Sequence, residues 1–191
     1  MRPIQQRPAK GALSRPLARS STWQLQMIYG ILLVYYEDKH QRAIAAFKDL
    51  FAPLSQHHRL FIVNNNPELD CHGCLLGDNS NQEFSGWDVV LRTLVPHNSD
   101  VIILANDTFL DAGKWNFHRR RRFQSRLKAF CKLEETYGLF GEVVSFPGGY
   151  ELFGCRADVW VRTHIFALRG ALLRDLGNRN RSAPHLEEAS E

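Results

Sequence analysis

With 191 residues, 44% of them apolar, the chain can bury one domain-sized core, which excludes disorder along its whole length. Its formal charge of +4 is unevenly placed. Five basic residues, Arg2, Arg7, Lys10, Arg15 and Arg19, precede the first acidic one, Glu37, and the remainder holds 19 basic against 20 acidic residues, so the excess belongs to the tail and argues against nucleic acid as the default partner.

Residues 1–24 carry Pro3, Pro8 and Pro16 among scattered Arg and Ser without apolar periodicity, and are expected to form a disordered basic tail. The prolines interrupt the amphipathic helix that a transit peptide needs, and no signal-peptide core is present. Residues 28–36, IYGILLVYY, read as a strand covered on both faces. The apolar run of 27–36 falls well short of the roughly 20 residues of a membrane helix. A cytoplasmic protein is expected, with no transmembrane segment and with peripheral contact at the inner face of a membrane left open.

In DKHQRAIAAFKDLFAPL, Ile44, Phe47, Leu50 and Phe51 recur at helical spacing until Pro53. A second strand, 60–63, runs into Asn64-Asn65-Asn66-Pro67, and 68–82 read as a loop. Within it Cys71-His72-Gly73-Cys74 has the spacing of half a zinc site, but no partner pair follows, so ordinary thiols are expected. His57-His58 is expected to end a solvated helix. Phe84, Trp87, Leu91 and Leu94 mark one face of a second helix over 84–94. A third strand, in SDVIILANDTF, stops at Asn106-Asp107-Thr108. Residues 114–137 should form a long helix with Phe123, Leu127 and Phe130 inward and Arg119, Arg122 and Arg126 on an adjoining stripe. Strands at 139–146, stopped by Pro147-Gly148-Gly149, and at 158–168 follow, then a short helix over 169–176 capped by Gly177 and a flexible tail over 178–191.

Strand, helix, strand, helix, strand predicts an α/β domain over 25–177, a mainly parallel twisted sheet flanked by helices. Ligands of such sheets bind beyond the carboxyl ends of the strands, so Glu37-Asp38, Asn64-Asn65-Asn66 and Asn106-Asp107-Thr108 should share one rim. A carboxylate there suits Mg²⁺ or Mn²⁺ with a diphosphate. Neither G-x-G-x-x-G nor G-x-x-x-x-G-K-[ST] follows the first strand, which argues against nicotinamide and P-loop chemistry.

The series LLVYYEDKHQRAIAAF, LFIVNNN, NSNQEFSGWDVVLR and VIILANDTF resembles the N-terminal half of family 2 glycosyltransferases, over about residues 30–110, with weaker similarity through RTHIFALRGALLRDLG. Asn81, Phe84, Gly86, Asp88 and Leu91 fall on that family's helix-start pattern, and Ala105-Asn106-Asp107-Thr108 on its metal-binding one. The resemblance implies a GT-A, Rossmann-like nucleotide-diphospho-sugar transferase fold. It implies hexosyl or deoxyhexosyl transfer to a saccharide or lipid-linked acceptor in polysaccharide biosynthesis. Asp107 becomes the catalytic residue and the ligand of Mg²⁺ or Mn²⁺, and Tyr36, Glu37, Asn64, Asn66, Asn81, Asp88 and Asn106 become the nucleotide-binding set. The chain departs from the pattern at Glu83, where the family has Gly, and at Asn64-Asn65, where it has Asp. The family's acidic general base would follow RTHIFALRGALLRDLG, where only Glu187 and Glu188 stand. Two other readings remain: a truncated, non-catalytic relative that binds nucleotide, and a nucleic-acid module using Arg119–Arg122.

Overall fold

The computed structural model describes residues 26–54, 57–112, 115–133, 135, 137–152 and 155–182. The expected basic tail of 1–24, and Glu187 and Glu188, lie outside these residues. The elements in order are β1 (Ile28–Val34), α1 (His40–Phe51), β2 (His58–Asn64), β3 (Leu75–Leu76), α2 (Gln82–Leu91), β4 (Val101–Asn106), α3 (Phe109–Ala112), α4 (Phe117–Lys132), β5 (Leu139–Leu152), β6 (Cys155–Arg169) and α5 (Gly170–Ser182).

Six strands form one sheet in the order β3-β2-β1-β4-β6-β5. The alternation of side chains along a strand explains the unbroken apolar runs of β1 and β4. On one face Leu32, Val34, Val101, Ile103 and Ala105 pack with Phe47, Leu50 and Phe51 of α1 and with Leu127 and Phe130 of α4. On the other, Ile31, Leu33, Ile102 and Leu104 pack with Trp87 and Val90 of α2 and with Leu172 of α5. The two central strands thus serve two cores, and every residue of β4 is buried.

The architecture is α/β, but the sheet is mixed rather than mainly parallel. β1 runs parallel to β2 and β4, and β2 to β3, whereas β6 is antiparallel to both β4 and β5. Apolar periodicity carries no strand direction; the signal for the hairpin of β5 and β6 was the short stretch 147–157, without helical spacing, between the two expected strands, too little for a crossover helix. Pro147-Gly148-Gly149 does not end β5. The register shifts between Ser145 and Tyr150, and Gly148 and Gly149 take φ of 100° and 75°, which glycine permits, so the strand absorbs the triplet as an irregularity and continues.

Other boundaries move for local reasons. Asn116 caps α4, its Oδ1 accepting the Arg119 N–H at 3.0 Å, so this helix begins at Phe117 and α3 stands apart from it. His58 opens β2, with its ring 5.6 Å from that of Phe51, instead of closing a helix. Phe84, expected on the buried face of α2, is 53% exposed with its ring edge-on to Trp87. Cys71 and Cys74 are joined as a disulfide, not present as separate thiols. α5 runs past Gly177 to Ser182. Among the described residues no helix is long and apolar enough to cross a membrane.

Candidate functional site

Parallel pairing of β1 with β2 and β4 brings three carboxyl ends together, with Leu33 beside Asn106 and Val34 beside Asn64. Asp107, the first residue beyond β4, is 1% exposed. Its Oδ2 accepts the N–H groups of Tyr35 and Tyr36, both at 2.8 Å. At the opposite end of the same strand, Asp100 Oδ1 accepts the Met27 N–H at 3.0 Å. Carboxylates flanking β4 therefore fasten both ends of β1, and the one at the rim fixes the turn that carries two tyrosines. Burial pushes the Asp107 carboxyl above the ordinary aspartate value, against the opposing pull of the two amides and of Lys39.

This turn forms one wall of a cleft of about 410 Å³, within the range of small-molecule sites. Tyr35 and Tyr36 stand edge to face, 5.3 Å between centroids, and Lys39 Nζ lies 4.5 Å from the Tyr36 ring centre. Asn106, Asp107 and Thr108 follow from the end of β4. Asn79, Gln82 and Glu83 come from the loop before α2 and its first turn, and Thr163 and His164 from β6. Asn79 and Gln82, with φ of 52° and 49°, are the two non-glycine residues with positive φ among the described residues, and both line this cleft. Asn adopts this region readily, but at Gln82 such backbone persists only where the surroundings impose it. Here Asn65 imposes it, its Nδ2 donating to Gln82 O at 2.8 Å and to Asn79 Oδ1 at 3.4 Å, while its buried Oδ1 meets no donor among the described residues.

A hydrogen-bond chain orients the His164 ring. Asn106 Oδ1 accepts the Thr108 N–H at 3.2 Å, which identifies it as the oxygen, and also accepts the Thr108 hydroxyl proton at 2.5 Å. Thr108 Oγ1 has then spent its proton, so the 3.2 Å contact with His164 Nδ1 requires that nitrogen to donate. When the ring is neutral, this tautomer carries the lone pair on Nε2. Across the cleft Thr163 Oγ1 donates to Glu83 Oε1 at 3.2 Å, tying β6 to the start of α2.

Of the residues expected at the site, the cleft gathers Tyr36, Asn106 and Asp107. The others lie off its wall. Glu37 is exposed, and its carbonyl accepts from His40 Nδ1. Asn64 donates from Nδ2 to Leu69 O and accepts the Asn66 N–H on Oδ1; Asn66 donates to Tyr35 O and accepts the Glu68 N–H. Both form Asx turns that shape the end of β2. Asn81 precedes α2, its N–H donating to Ser85 Oγ. Asp88 pairs with Arg92 one turn on. Tyr35, Asn79, Gln82, Glu83, Thr108, Thr163 and His164 were missed as site residues. The polar pair Thr163-His164, interrupting the apolar run of β6, was the available signal, and it acquires meaning only once Ile165 pairs with Ala105.

Among the described residues no three His, Cys, Asp or Glu side chains converge as a metal cage. The carboxylates on the cleft wall are Asp107 and Glu83. Carboxylate oxygens are the kind of donor that a hard cation such as Mg²⁺ prefers. Comparison with family models, curated proteins and solved structures found no significant match to this chain.

Proposed function

We propose that the cleft binds a nucleoside diphosphate sugar and that the chain is a GT-A-like glycosyltransferase, passing the sugar to a saccharide or lipid-linked acceptor. The observation that carries this reading is the convergence of a buried carboxylate, two half-exposed tyrosines and a polar loop beyond the carboxyl ends of β1 and β4. The tyrosines offer aromatic faces to a base, and Asn79 and Gln82 offer amides to its polar edges. Asp107 and Glu83 would hold Mg²⁺ or Mn²⁺, and the cation would supply charge neutralisation to the departing diphosphate. His164 Nε2 takes the proton of an acceptor hydroxyl, the role for which the sequence offered only Glu187 and Glu188.

Thermal unfolding with UDP, GDP and dTDP, each with and without Mn²⁺, tests the reading. One nucleotide should raise the midpoint, with stabilisation of about 2.7 kcal/mol at a hundredfold excess over its Kd, and Tyr36→Ala should diminish the shift. No shift with any of the three would overturn it.

A further inference from the structure

A second cavity, of about 300 Å³, opens beside the cleft, and His164 stands on the wall of both. Its floor is aromatic. Trp115 lies 5.2 Å from Phe109 and 5.4 Å from Phe123, which is 5.1 Å from Phe140, all between ring centroids. Its rim carries guanidinium groups: Arg119, Arg122 and Arg126 from one face of α4, and Arg162 from β6, with Glu142 the acidic residue on the lining.

The four consecutive arginines do not form one patch. Arg120 pairs with Asp49 at 3.6 Å, and Arg121 lies 5.4 Å from the centre of the Phe117 ring, whereas Arg119 and Arg122 line the cavity. Among the described residues Arg122, Arg126 and Arg162 form no ion pair. Like charges four apart on a helix repel, so α4 gains nothing for its own folding by placing Arg122 and Arg126 together. The buried indole Nε1–H of Trp115 also meets no acceptor among the described residues.

We propose that this cavity binds an amphipathic phosphate, its head held by Arg122, Arg126 and Arg162 and its apolar stem lying on Trp115 and Phe123. Guanidinium forks match the several oxygens of a dianionic phosphate, and aromatic walls supply the burial that a small inorganic anion cannot use. The shared His164 places this ligand against the cleft. Its identity as the second substrate rests on the function proposed above; its binding does not.

The test is titration of the full chain with decyl phosphate, below its micellar concentration and without nucleotide, followed by calorimetry and tryptophan fluorescence. Saturable one-to-one binding is expected, with a fluorescence change that Trp115→Phe removes and with decanol and inorganic phosphate each binding at least tenfold more weakly. The Arg122→Gln/Arg126→Gln variant should lose at least tenfold in affinity, while Arg120→Gln/Arg121→Gln, which removes equal charge outside the cavity, should bind as wild type. Equal loss in both variants, or no loss in the first, overturns the proposal. Sedimentation with phosphatidic acid vesicles that depends on Arg122 and Arg126 identifies a membrane as the source of the phosphate. Decyl phosphate binding without such sedimentation identifies a free ligand. Binding that persists while every nucleoside diphosphate fails leaves this site standing and removes only the donor reading.

Discussion

Asp107→Ala is expected to lower the free energy of unfolding by about 2–4 kcal/mol, because one oxygen accepts two backbone N–H groups and each donor left without an acceptor costs about 1–3 kcal/mol. Asp107→Asn retains an acceptor oxygen without the charge, and should stay within about 1 kcal/mol of wild type. Urea midpoints at constant slope measure both. The pH dependence separates charge from hydrogen bonding. Burial raises the folded-state value of this carboxyl, so its favourable contribution is fully present below the unfolded aspartate value and is lost as pH rises through the folded one. Asp107→Asn should flatten that slope. An alanine variant as stable as wild type would contradict the clamp on β1.

Arg169 carries the second large effect. It is 1% exposed, yet its guanidinium reaches three carbonyls: Nη1 donates to Ser99 O at 2.9 Å, and Nη2 to Phe130 O and Leu133 O, both at 2.6 Å. Those last two belong to the end of α4, where Phe130 O also accepts the Leu133 N–H, and the guanidinium lies 4.9 Å from the centre of the Phe130 ring. One side chain of β6 therefore fastens α4 and the approach to β4. Burial pulls its pKa below the ordinary arginine value, but the group stays charged. Arg169→Met should cost about 3–4 kcal/mol, since charge-assisted bonds are worth about 1.5–3 kcal/mol each and part of the loss is recovered by apolar packing. Arg169→Lys should recover less than half of that, because one ammonium cannot reproduce a planar fork aimed at diverging carbonyls. Equal stability of the lysine variant and wild type would show that charge alone suffices.

These two residues also show what the sequence could and could not disclose. The apolar runs of β1 and β4 and the helical spacing in α1 and α2 are local signals, and an element forms at each, although α2 starts earlier and ends at Leu91, with Phe84 exposed and Leu94 beyond it. Asp107 was legible as a carboxylate at a strand end. Its partners, the amides of Tyr35 and Tyr36, were not, because they depend on β1 lying next to β4, some 70 residues apart in the chain. Arg169 was read only as the start of a short helix, and its work is done across the sheet. Asn64 and Asn66 show a different use of a strand-end Asn: each accepts the N–H two residues on, in Asx turns that shape the end of β2, and neither lies on the cleft wall. Asp88 matched a motif position, yet it lies on the side of α2 that pairs with Arg92. His164 needed the antiparallel insertion of β6, a long-range event that no periodicity records.

The cleft and the arginine-rimmed cavity meet at His164, so the proposed donor pocket and second site share one group. The donor reading, unlike phosphate binding in the second cavity, depends on the cleft accepting a nucleoside diphosphate. The decisive measurement is calorimetric titration of UDP, GDP and dTDP, with Mn²⁺ and then with a chelator, into wild type and the stably folded Asp107→Asn variant. Saturable one-to-one binding of one nucleotide is expected, weakened by the chelator and weakened at least tenfold by Asp107→Asn. Absence of binding by all three, or an affinity unchanged in Asp107→Asn, would contradict the account.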